Sequence, residues 1–412
     1  MDASNSANAA SQVSLADIVT ARQRIAGGVA VTPCPESIPL SELTGSRVFC
    51  KLDYLQRTGS FKERGARNAL LQLTEAQRTQ GVVTQSAGNH ALGLAYHGQL
   101  LHIPVTVVMP RFAPIIKSST CRRLGAKVIL HGDSFLEARE HALSLADSES
   151  LTYIHGFDNP QIVAGQGTAG LEIMEQVPGV EAIIAPVGGG GLLAGIALAV
   201  KTMKPAVAVY GVEAANMPSF TSAVKAGGPC DVAPCPTLAD GLAVGRVGRL
   251  PFDLIRRHAD EVILASEEQL SLAVLRLVEL EKAVVEGAAA APLAALMSGR
   301  FPQLRGKTVV LTLCGGNIDP VVLGRVIEKG LATDGRLARF TATISDRPGG
   351  LAAFAQIVSS AGASIKQVTH DREFSGPSIA HVNVQCTVET ADREHLQQLY
   401  TTLREAGFVV RE

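Results

Sequence analysis

AIIAPVGGGGLLAGIALAV, residues 182–200, is the segment from which the architecture of this 412-residue chain can be inferred. An apolar run leads into four consecutive glycines, Gly188 to Gly191, and a second apolar run long enough for a helix follows. A continuous apolar strand followed by a buried helix is typical of a parallel sheet covered by helices on both faces. Residues without Cβ let the main chain wrap a phosphate, so that N–H groups and the helix dipole point at it. The segment predicts an α/β fold with an anion-binding turn; a flexible loop is the alternative.

Similar runs recur on both sides of this segment. Between about residues 47 and 330, short apolar runs alternate with helical stretches, which predicts parallel-rich open sheets. The runs are RVFCKLD, GVVTQS, PVTVVMP, KVILHG, EAIIAPVG, AVYGVE and KTVVLTLCG. After GLATDGRL the pattern changes to β-α-β-β-α-β, which predicts a separate α+β ferredoxin-like unit.

The composition excludes several classes of protein. With 46% apolar residues the chain can bury large cores, and a formal net charge of −1 offers no basic excess for nucleic acid. No run is long enough to span a bilayer and the N-terminus lacks a secretory signal pattern, so we expect a soluble cytoplasmic protein. The seven cysteines are scattered. Only Cys230 and Cys235 approach a pair, and no histidines accompany them at zinc-ligand spacing, so no metal site is expected.

A lysine stands out in GSFKERGA, residues 59–66. Ser60 and Glu63 have the spacing of a capping box, which would place Lys62 in the first turn of a helix. The positive end of that helix, together with burial, would favour a neutral Lys62 amine, the form that attacks aldehydes. The alternative is an ordinary surface lysine.

Two further motifs end predicted strands. In QSAGNHALG, residues 85–93, the N–H groups of Ser86 to His90 could hold a carboxylate, and the Asn89 amide could bond a phenolic oxygen. The alternative for Asn89 is a helix cap. In VVLTLCGGNID, residues 309–319, Cys314 could bond weakly to a ring nitrogen or could be a small buried hydrophobe. The four motifs lie at or beyond the carboxyl ends of predicted strands, where open α/β sheets bind ligands.

Taken in order and spacing, SFKERGA, SAGNH, the tetraglycine turn and CGGN resemble the threonine/serine dehydratases of the tryptophan-synthase-β-like class of pyridoxal-phosphate (PLP) enzymes. The resemblance covers residues 15–330, and the DRPGGL turn, Asp346 to Leu351, resembles an ACT domain. It implies that Lys62 is the catalytic residue and binds the cofactor covalently. The other cofactor-binding residues that it implies are Phe61, Asn89, Gly188, Gly189, Gly190, Gly191, Leu192, Gly241 and Cys314. The substrate-binding residues that it implies are Ser86, Ala87, Gly88, Asn89 and His90.

The resemblance also implies a domain plan and a reaction. The plan is a flexible tail (1–14), a PLP fold type II catalytic domain (15–330) with a small subdomain (about 54–154) inserted in a large one, a linker (331–337) and an ACT domain (338–412). The reaction is elimination of water from threonine or serine, giving a 2-oxo acid and ammonia. Isoleucine or valine is the expected effector if the enzyme serves branched-chain synthesis, and a homodimer or homotetramer is the expected assembly.

Four alternatives remain open at this point. The first is a racemase, but racemase relatives carry a serine where this chain has Ala87, and alanine cannot transfer a proton. The second is that 3-hydroxyaspartate replaces threonine as the substrate. Some relatives bind a divalent ion, but Ser219 stands at one of the acidic positions although Glu213 is kept, so no catalytic Mg²⁺ is expected. β-Replacement by a second nucleophile is the third alternative. A silent amino-acid sensor is the fourth, but such a protein would have lost Lys62.

Overall fold

The computed structural model describes residues 13–370 and 380–412. The chain divides into two compact units, the first ending at Ile318 and the second running from Asp319 to Glu412. Of the predicted flexible tail, residues 1–12 lie outside the described residues. Val13 is buried and Ser14 forms a capping box with Asp17 at the start of the first helix, so the predicted tail is wrong at these two positions.

The strands of the first unit are short, as the apolar runs predicted. They are β1 Glu36–Ser37, β2 Arg47–Lys51, β3 Val82–Gln85, β4 Val105–Met109, β5 Lys127–Leu130, β6 Thr152–Tyr153, β7 Ala182–Pro186, β8 Ala208–Ala214, β9 Glu261–Ala265 and β10 Thr308–Thr312.

Helices alternate with these strands. They are α1 Leu15–Ile25, α2 Ile38–Thr44, α3 Lys62–Leu70, α4 Glu75–Gln80, α5 Asn89–Leu100, α6 Ile115–Arg123, α7 Phe135–Ser148, α8 Pro160–Gln176, α9 Gly191–Met203, α10 Ser219–Ala226, α11 Arg249–His258, α12 Glu267–Glu281 and α13 Gly287–Met297.

Two parallel-rich sheets organise the first unit. The larger has the order β1-β2-β10-β7-β8-β9, in which only β1 pairs antiparallel. The smaller has the order β5-β4-β3-β6 and is entirely parallel. The chain leaves the larger sheet after β2, builds the smaller sheet, and returns at β7. Strand β7 is buried at every position, as expected for a strand covered on both faces. The predicted α/β class with parallel-rich sheets is confirmed.

Three helices stack through glycine contacts. A Cβ on Gly165 of α8 would lie 2.6 Å from the Gly65 Cα of α3, and a Cβ on Gly195 of α9 would lie 2.5 Å from the Gly167 nitrogen of α8. Real Cβ atoms do not approach that closely, so these crossings require residues without side chains. Helix α8 therefore touches α3 on one side and α9 on the other, main chain against main chain.

The second unit has its own core. Its elements are α14 Pro320–Thr333, β11 Leu337–Ser345, α15 Gly350–Ser360, β12 Ser364–His370, β13 His381–Glu389, α16 Arg393–Glu405 and β14 Val409–Arg411. The strands form an antiparallel sheet of order β12-β13-β11-β14, which confirms the ferredoxin-like β-α-β-β-α-β arrangement. Only residues 334–336 separate α14 from β11, a shorter connection than the linker predicted at 331–337. Among the described residues, no helix is long and apolar enough to cross a membrane.

Candidate functional site

The carboxyl ends of β7 and β10 open onto one pocket of the first unit. The start of α3, the turn after β7 and the turn after β10 meet there, as expected for parallel strands that end at one edge of a sheet. The lining residues are Phe61, Lys62, Phe157, Pro186, Gly188, Gly189, Gly190, Gly191, Leu192, Leu242, Glu286, Ala288 and Cys314. The structure thus brings together most of the residues for which a cofactor role was predicted.

The tetraglycine turn has room for no side chain. A Cβ on Gly188 would lie 2.8 Å from the Gly241 carbonyl oxygen, and one on Gly189 would overlap the Phe157 ring. Gly190 caps α9 with φ +89°, a conformation that L side chains rarely adopt. Among the described residues, the N–H groups from Gly188 to Leu192 find no acceptor. They are therefore free to donate to an anion at the positive end of α9.

Lys62 is the first residue of α3 and reaches into the same pocket. Its Nζ lies 2.8 Å from the Gly156 carbonyl oxygen and 5.2 Å from the centre of the Phe61 ring. Burial lowers the pKa of the amine from 10.5 to about 8, although nearby Cys314 and Glu286 oppose the shift. A substantial fraction of the amine is therefore neutral and nucleophilic in mildly alkaline solution.

The predicted capping box before Lys62 is wrong. Phe61, not Ser60, occupies the position before α3 and makes no side-chain cap. Ser60 Oγ has no hydrogen-bond partner among the described residues, and the Glu63 carboxylate accepts the Thr58 N–H instead. Ser60 pairs with Gly315 through an isolated bridge, while the Phe61 N–H donates to the Cys314 carbonyl oxygen at 2.9 Å. Contacts with the turn after β10 therefore fix the start of α3.

Asn89 begins α5 but does not cap it, since the capping position belongs to Gly88. The Asn89 Nδ2 donates to the Glu286 carboxylate at 2.9 and 3.0 Å, and its Oδ1 accepts from Asn317 Nδ2 at 2.8 Å. Asn317 also donates to the Thr58 carbonyl oxygen at 2.7 Å. This chain of bonds fixes the orientation of the Asn89 amide.

Sequence reasoning missed Glu286. It is a buried carboxyl at the capping position of α13, bonded to Asn89 and lining the pocket. Burial raises its pKa to about 7, and the Asp240 carboxylate adds to the shift while the Asn89 hydrogen bond opposes it. The only signal in the sequence was one acidic residue before a run of alanines, which is too common to indicate a site.

The SAGNH turn is only partly free to bind. The Ser86 N–H donates to the Val108 carbonyl oxygen and the Gly88 N–H to Ser86 Oγ, both at 3.2 Å, so the prediction that all five N–H groups are free is wrong. The N–H groups of Ala87, Asn89 and His90 have no acceptor among the described residues. The His90 ring is buried, with Nε2 3.3 Å from the Ile154 carbonyl oxygen, and burial lowers its pKa to about 3. A neutral ring of this kind offers no positive charge to a substrate.

Three positions surround Glu286 closely. A Cβ on Gly315 would overlap Glu286 Oε1, and a Cβ on Gly241 would lie 3.4 Å from the same atom. Cys314 is buried, which raises the pKa of its thiol well above the ordinary value, so the group stays neutral. Glycine at positions 241 and 315 therefore leaves room for the Glu286 carboxylate itself.

Sequence reasoning also missed Phe157 as a residue that lines the pocket, because aromatic residues in loops are common.

Glu213, considered above as a metal ligand, is buried and accepts the N–H groups of Phe220 at 2.6 Å and Thr221 at 3.0 Å. Its carboxylate therefore holds the start of α10.

The pocket has the donor set that PLP needs. The free N–H groups of the tetraglycine turn suit a phosphate, the neutral fraction of Lys62 suits an aldehyde, and the Asn89 amide suits a phenolic oxygen. The neutral Cys314 thiol suits an uncharged ring nitrogen. The residues present thus fit this cofactor.

Comparison with known proteins agrees with this chemistry and confirms the resemblance noted in the sequence. Residues 25–315 match the pyridoxal-phosphate dependent enzyme family. A Thermotoga maritima protein named L-threonine ammonia-lyase is 42% identical over 399 residues, which cover 97% of this chain and 99% of that one. The crystal structure of a threonine deaminase from T.th. gives a TM-score of 0.71 at 40% identity and covers 74% of this chain and 99% of its own. The crystal structure of serine racemase from Dictyostelium discoideum also gives a TM-score of 0.71, at 36% identity, and covers 74% of this chain and 99% of its own. The chain belongs to the family of pyridoxal-phosphate dependent enzymes.

Proposed function

We propose that this protein is a threonine ammonia-lyase that eliminates water from L-threonine, and also from L-serine, to give 2-oxobutanoate or pyruvate and ammonia. The observation that carries the proposal is Lys62, a partly neutral amine in one pocket with the unbonded N–H groups of the tetraglycine turn. The relative named L-threonine ammonia-lyase, which matches nearly the whole chain, supports the choice of substrate.

The residues of the pocket have distinct tasks in this reaction. Bound PLP supplies an aldehyde that condenses with amines and a ring that accepts the electrons of the Cα–H bond. The turn at residues 188–192 would bind the phosphate, Asn89 would bond the ring hydroxyl, and Cys314 would lie beside the ring nitrogen. Lys62 would hold the cofactor through its amine and would also take the Cα proton, as a base of suitable pKa.

The SAGNH turn orients the substrate. The N–H groups of Ala87, Asn89 and His90, which have no acceptor among the described residues, would hold the substrate carboxylate, while Ser86 and Gly88 shape the turn through their own hydrogen bonds. Phe61 and Gly241 would pack beside the cofactor ring. Because the His90 ring is neutral, the carboxylate is held by N–H dipoles rather than by a cation.

Ala87 argues against racemisation as the main activity. The fold does not separate the two activities, since threonine deaminase and serine racemase give equal TM-scores. Racemisation needs a proton donor on the face of Cα opposite the lysine, and a methyl group cannot act as one. Ala87 packs against the apolar core of the smaller sheet instead.

The deciding experiment offers L-threonine, L-serine and 3-hydroxyaspartate separately to the purified, PLP-loaded protein and measures keto-acid release and D-amino-acid formation. We expect 2-oxobutanoate from threonine at the highest kcat/KM and no D-enantiomer. Lys62→Ala is expected to abolish both the yellow colour and the activity. Lys225→Ala, at an exposed position of helix α10 that does not line the pocket, should change neither. Predominant D-serine, or a thioether when a thiol is added, would replace the proposal by racemisation or β-replacement.

We also propose that the second unit is an ACT domain that senses an amino acid in a cytoplasmic homodimer or homotetramer. Its sheet order and the turn before α15 support this proposal. A Cβ on Gly350 would overlap the Ser345 carbonyl oxygen and Gly349 has φ +94°, so main chain rather than side chain forms the turn.

Titrating isoleucine and valine into the full chain, and into a chain ending at Ile318, tests the effector. The shorter chain is a reasonable comparison because the threonine deaminase structure aligns over 99% of its length with 74% of this chain. We expect inhibition of the full chain only. Identical kinetics of both proteins with and without the amino acids would remove the regulatory role.

A further inference from the structure

Arg64, two residues after Lys62, uses every hydrogen-bond donor that an arginine has. Its Nε and one terminal nitrogen donate to Asp53, both at 2.7 Å. The terminal nitrogens donate to Glu172 at 2.6 and 2.8 Å, and one of them also donates to Thr168 Oγ1 at 3.2 Å. Bidentate pairs of this kind have a fixed direction as well as strength, so the position of the guanidinium is determined on two sides.

The same network includes a second cation. Lys51 Nζ donates to the Thr32 carbonyl oxygen, Glu172 Oε2 and Gln176 Oε1 at 2.6, 2.6 and 2.9 Å, which uses its three donors. The charges of the two cations, Arg64 and Lys51, balance those of the two carboxylates, Asp53 and Glu172. At most 4% of any of these four side chains is exposed. Although burial alone would raise it, Arg64 and Lys51 hold the pKa of the Asp53 carboxyl below its ordinary value. None of these groups lines the pocket, so the reaction itself does not use them.

The network ties the lysine helix to its surroundings. Lys51 ends β2, Asp53 begins the turn that follows it, Arg64 lies on α3 and Glu172 lies on α8. On the same face, the Gly65 N–H donates to Gln166 Oε1 at 3.2 Å, and the contact between Gly65 and Gly165 brings the α3 and α8 main chains together. Helix α8 in turn touches α9 through Gly167 and Gly195, and α9 begins in the tetraglycine turn.

We propose that Arg64 is a positioning residue: by locking α3 onto α8, it sets the distance between the Lys62 amine and the turn that binds the phosphate of PLP. The glycine contacts fix how closely the helices approach, and the ion pairs fix their rotation and their register. An apolar cluster could fill the same volume, but it would not specify direction in this way. Arg64 does not line the pocket, so it would act through Lys62 rather than on the cofactor or the substrate.

The test measures imine formation between the apoenzyme and added PLP, followed by absorbance and by borohydride trapping with identification of the modified lysine. Arg64→Lys keeps the charge but offers at most three donors from a single point. We expect it to slow imine formation at Lys62 at least about tenfold, because a misplaced nucleophile loses much of its effective concentration. The pH midpoint of imine formation should also be higher in Arg64→Lys than in wild type. A displaced Lys62 amine would be better hydrated, which raises its pKa.

A matched control separates positioning from general loss of stability. Ile263→Ala on the edge strand β9 removes a buried side chain far along the sheet from β2 and should lower the unfolding midpoint while keeping the wild-type imine rate. A wild-type rate and pH midpoint in Arg64→Lys would overturn the proposal, and so would equal slowing in the control.

A second variant covers the case in which Arg64→Lys does not fold. Glu172→Gln keeps the size of the side chain and one acceptor oxygen but removes the charge that Arg64 and Lys51 share. Slower imine formation in this variant supports the proposal, and an unchanged rate contradicts it. The inference rests on PLP binding and not on the substrate, so failure of the threonine assay would leave this test unaffected.

Discussion

The side-chain amide of Asn89 donates to both carboxylate oxygens of Glu286, at 2.9 and 3.0 Å. Asn317 holds the other end of that amide, so Asn89 cannot turn its nitrogen away from Glu286 without breaking a second bond. The pair joins the start of α5 to the start of α13 across the pocket. It also places a buried carboxyl whose pKa is raised to about 7 beside the residues proposed to bind the cofactor.

Glu286 should make stability fall as the pH rises. Its folded-state pKa of about 7 lies above the ordinary value of 4.5, so the stability it contributes is complete below pH 4.5 and is lost as the pH rises through 7. Glu286→Gln removes this dependence. We expect the unfolding free energy of the apo variant, relative to wild type, to rise by on the order of 3 kcal/mol between about pH 4 and pH 8. Denaturant melts at several pH values measure it, with the exposed Glu75→Gln as control; parallel curves for wild type and Glu286→Gln would contradict the prediction.

The reaction of the apoenzyme with PLP should report the pKa of Lys62. Only the neutral amine attacks the aldehyde, so the rate of imine formation should rise with pH and level off above a midpoint near 8. An ordinary solvated lysine would give a midpoint above about 10. Stopped-flow absorbance from about pH 6 to about pH 10.5 distinguishes the two, and Lys62→Ala should show no fast phase at any pH.

The tetraglycine turn should not tolerate alanine. In Gly190→Ala the new Cβ would lie 2.8 Å from the Pro251 Cβ in a backbone conformation with φ +89°. If the turn moves to relieve a strain of roughly 1–2 kcal/mol, its N–H groups lose their alignment, and PLP binding should weaken about fivefold to thirtyfold. Equilibrium dialysis of PLP measures the change. Gly179→Ala, where the Cβ meets nothing within 4 Å, is the matched control and should bind normally; equal affinity in both variants would argue against a phosphate site in this turn.

Cys314 should limit side reactions. A neutral thiol cannot hold a protonated ring nitrogen as a carboxylate can, so the ring stays less electron-poor and elimination is favoured over transamination. Cys314→Asp is expected to raise the amount of pyridoxamine phosphate formed per keto acid released, measured by chromatography after exhaustive turnover. Cys314→Ser should keep the wild-type ratio. An unchanged ratio in Cys314→Asp would remove this role.

Much of the fold could be predicted from residue patterns. The apolar runs predicted β2, β3, β4, β5, β7, β8 and β10. The reason is clearest for β4 and β7, which are buried at every position and apolar almost throughout. The edge strand β9 was missed although EVILA is as apolar as the KVIL run of β5. Strands β1 and β6, of two residues each, are too short to leave a pattern.

The site was predictable only where local sequence fixes the main chain. The glycines of GGGG and CGGN predict turns in the main chain, and SFKERGA predicts a lysine at the start of a helix. Glu286 carries no local signal, because it reaches Asn89 from 197 residues away in the sequence. The capping box at Ser60 failed for the same reason: a distant partner, Gly315, decides where the helix begins.

The glycine crossings of α3, α8 and α9 have a consequence for how this protein can evolve. A spacing set by main-chain atoms in hard contact does not depend on which aliphatic side chains fill the neighbouring volume. Volume-conserving exchanges among leucine, isoleucine and valine elsewhere in the interior should therefore leave the separation between the Lys62 amine and the tetraglycine turn unchanged. In a laboratory library that diversified the core, volume-conserving exchanges should be tolerated best, provided Gly65, Gly165, Gly167 and Gly195 are held constant.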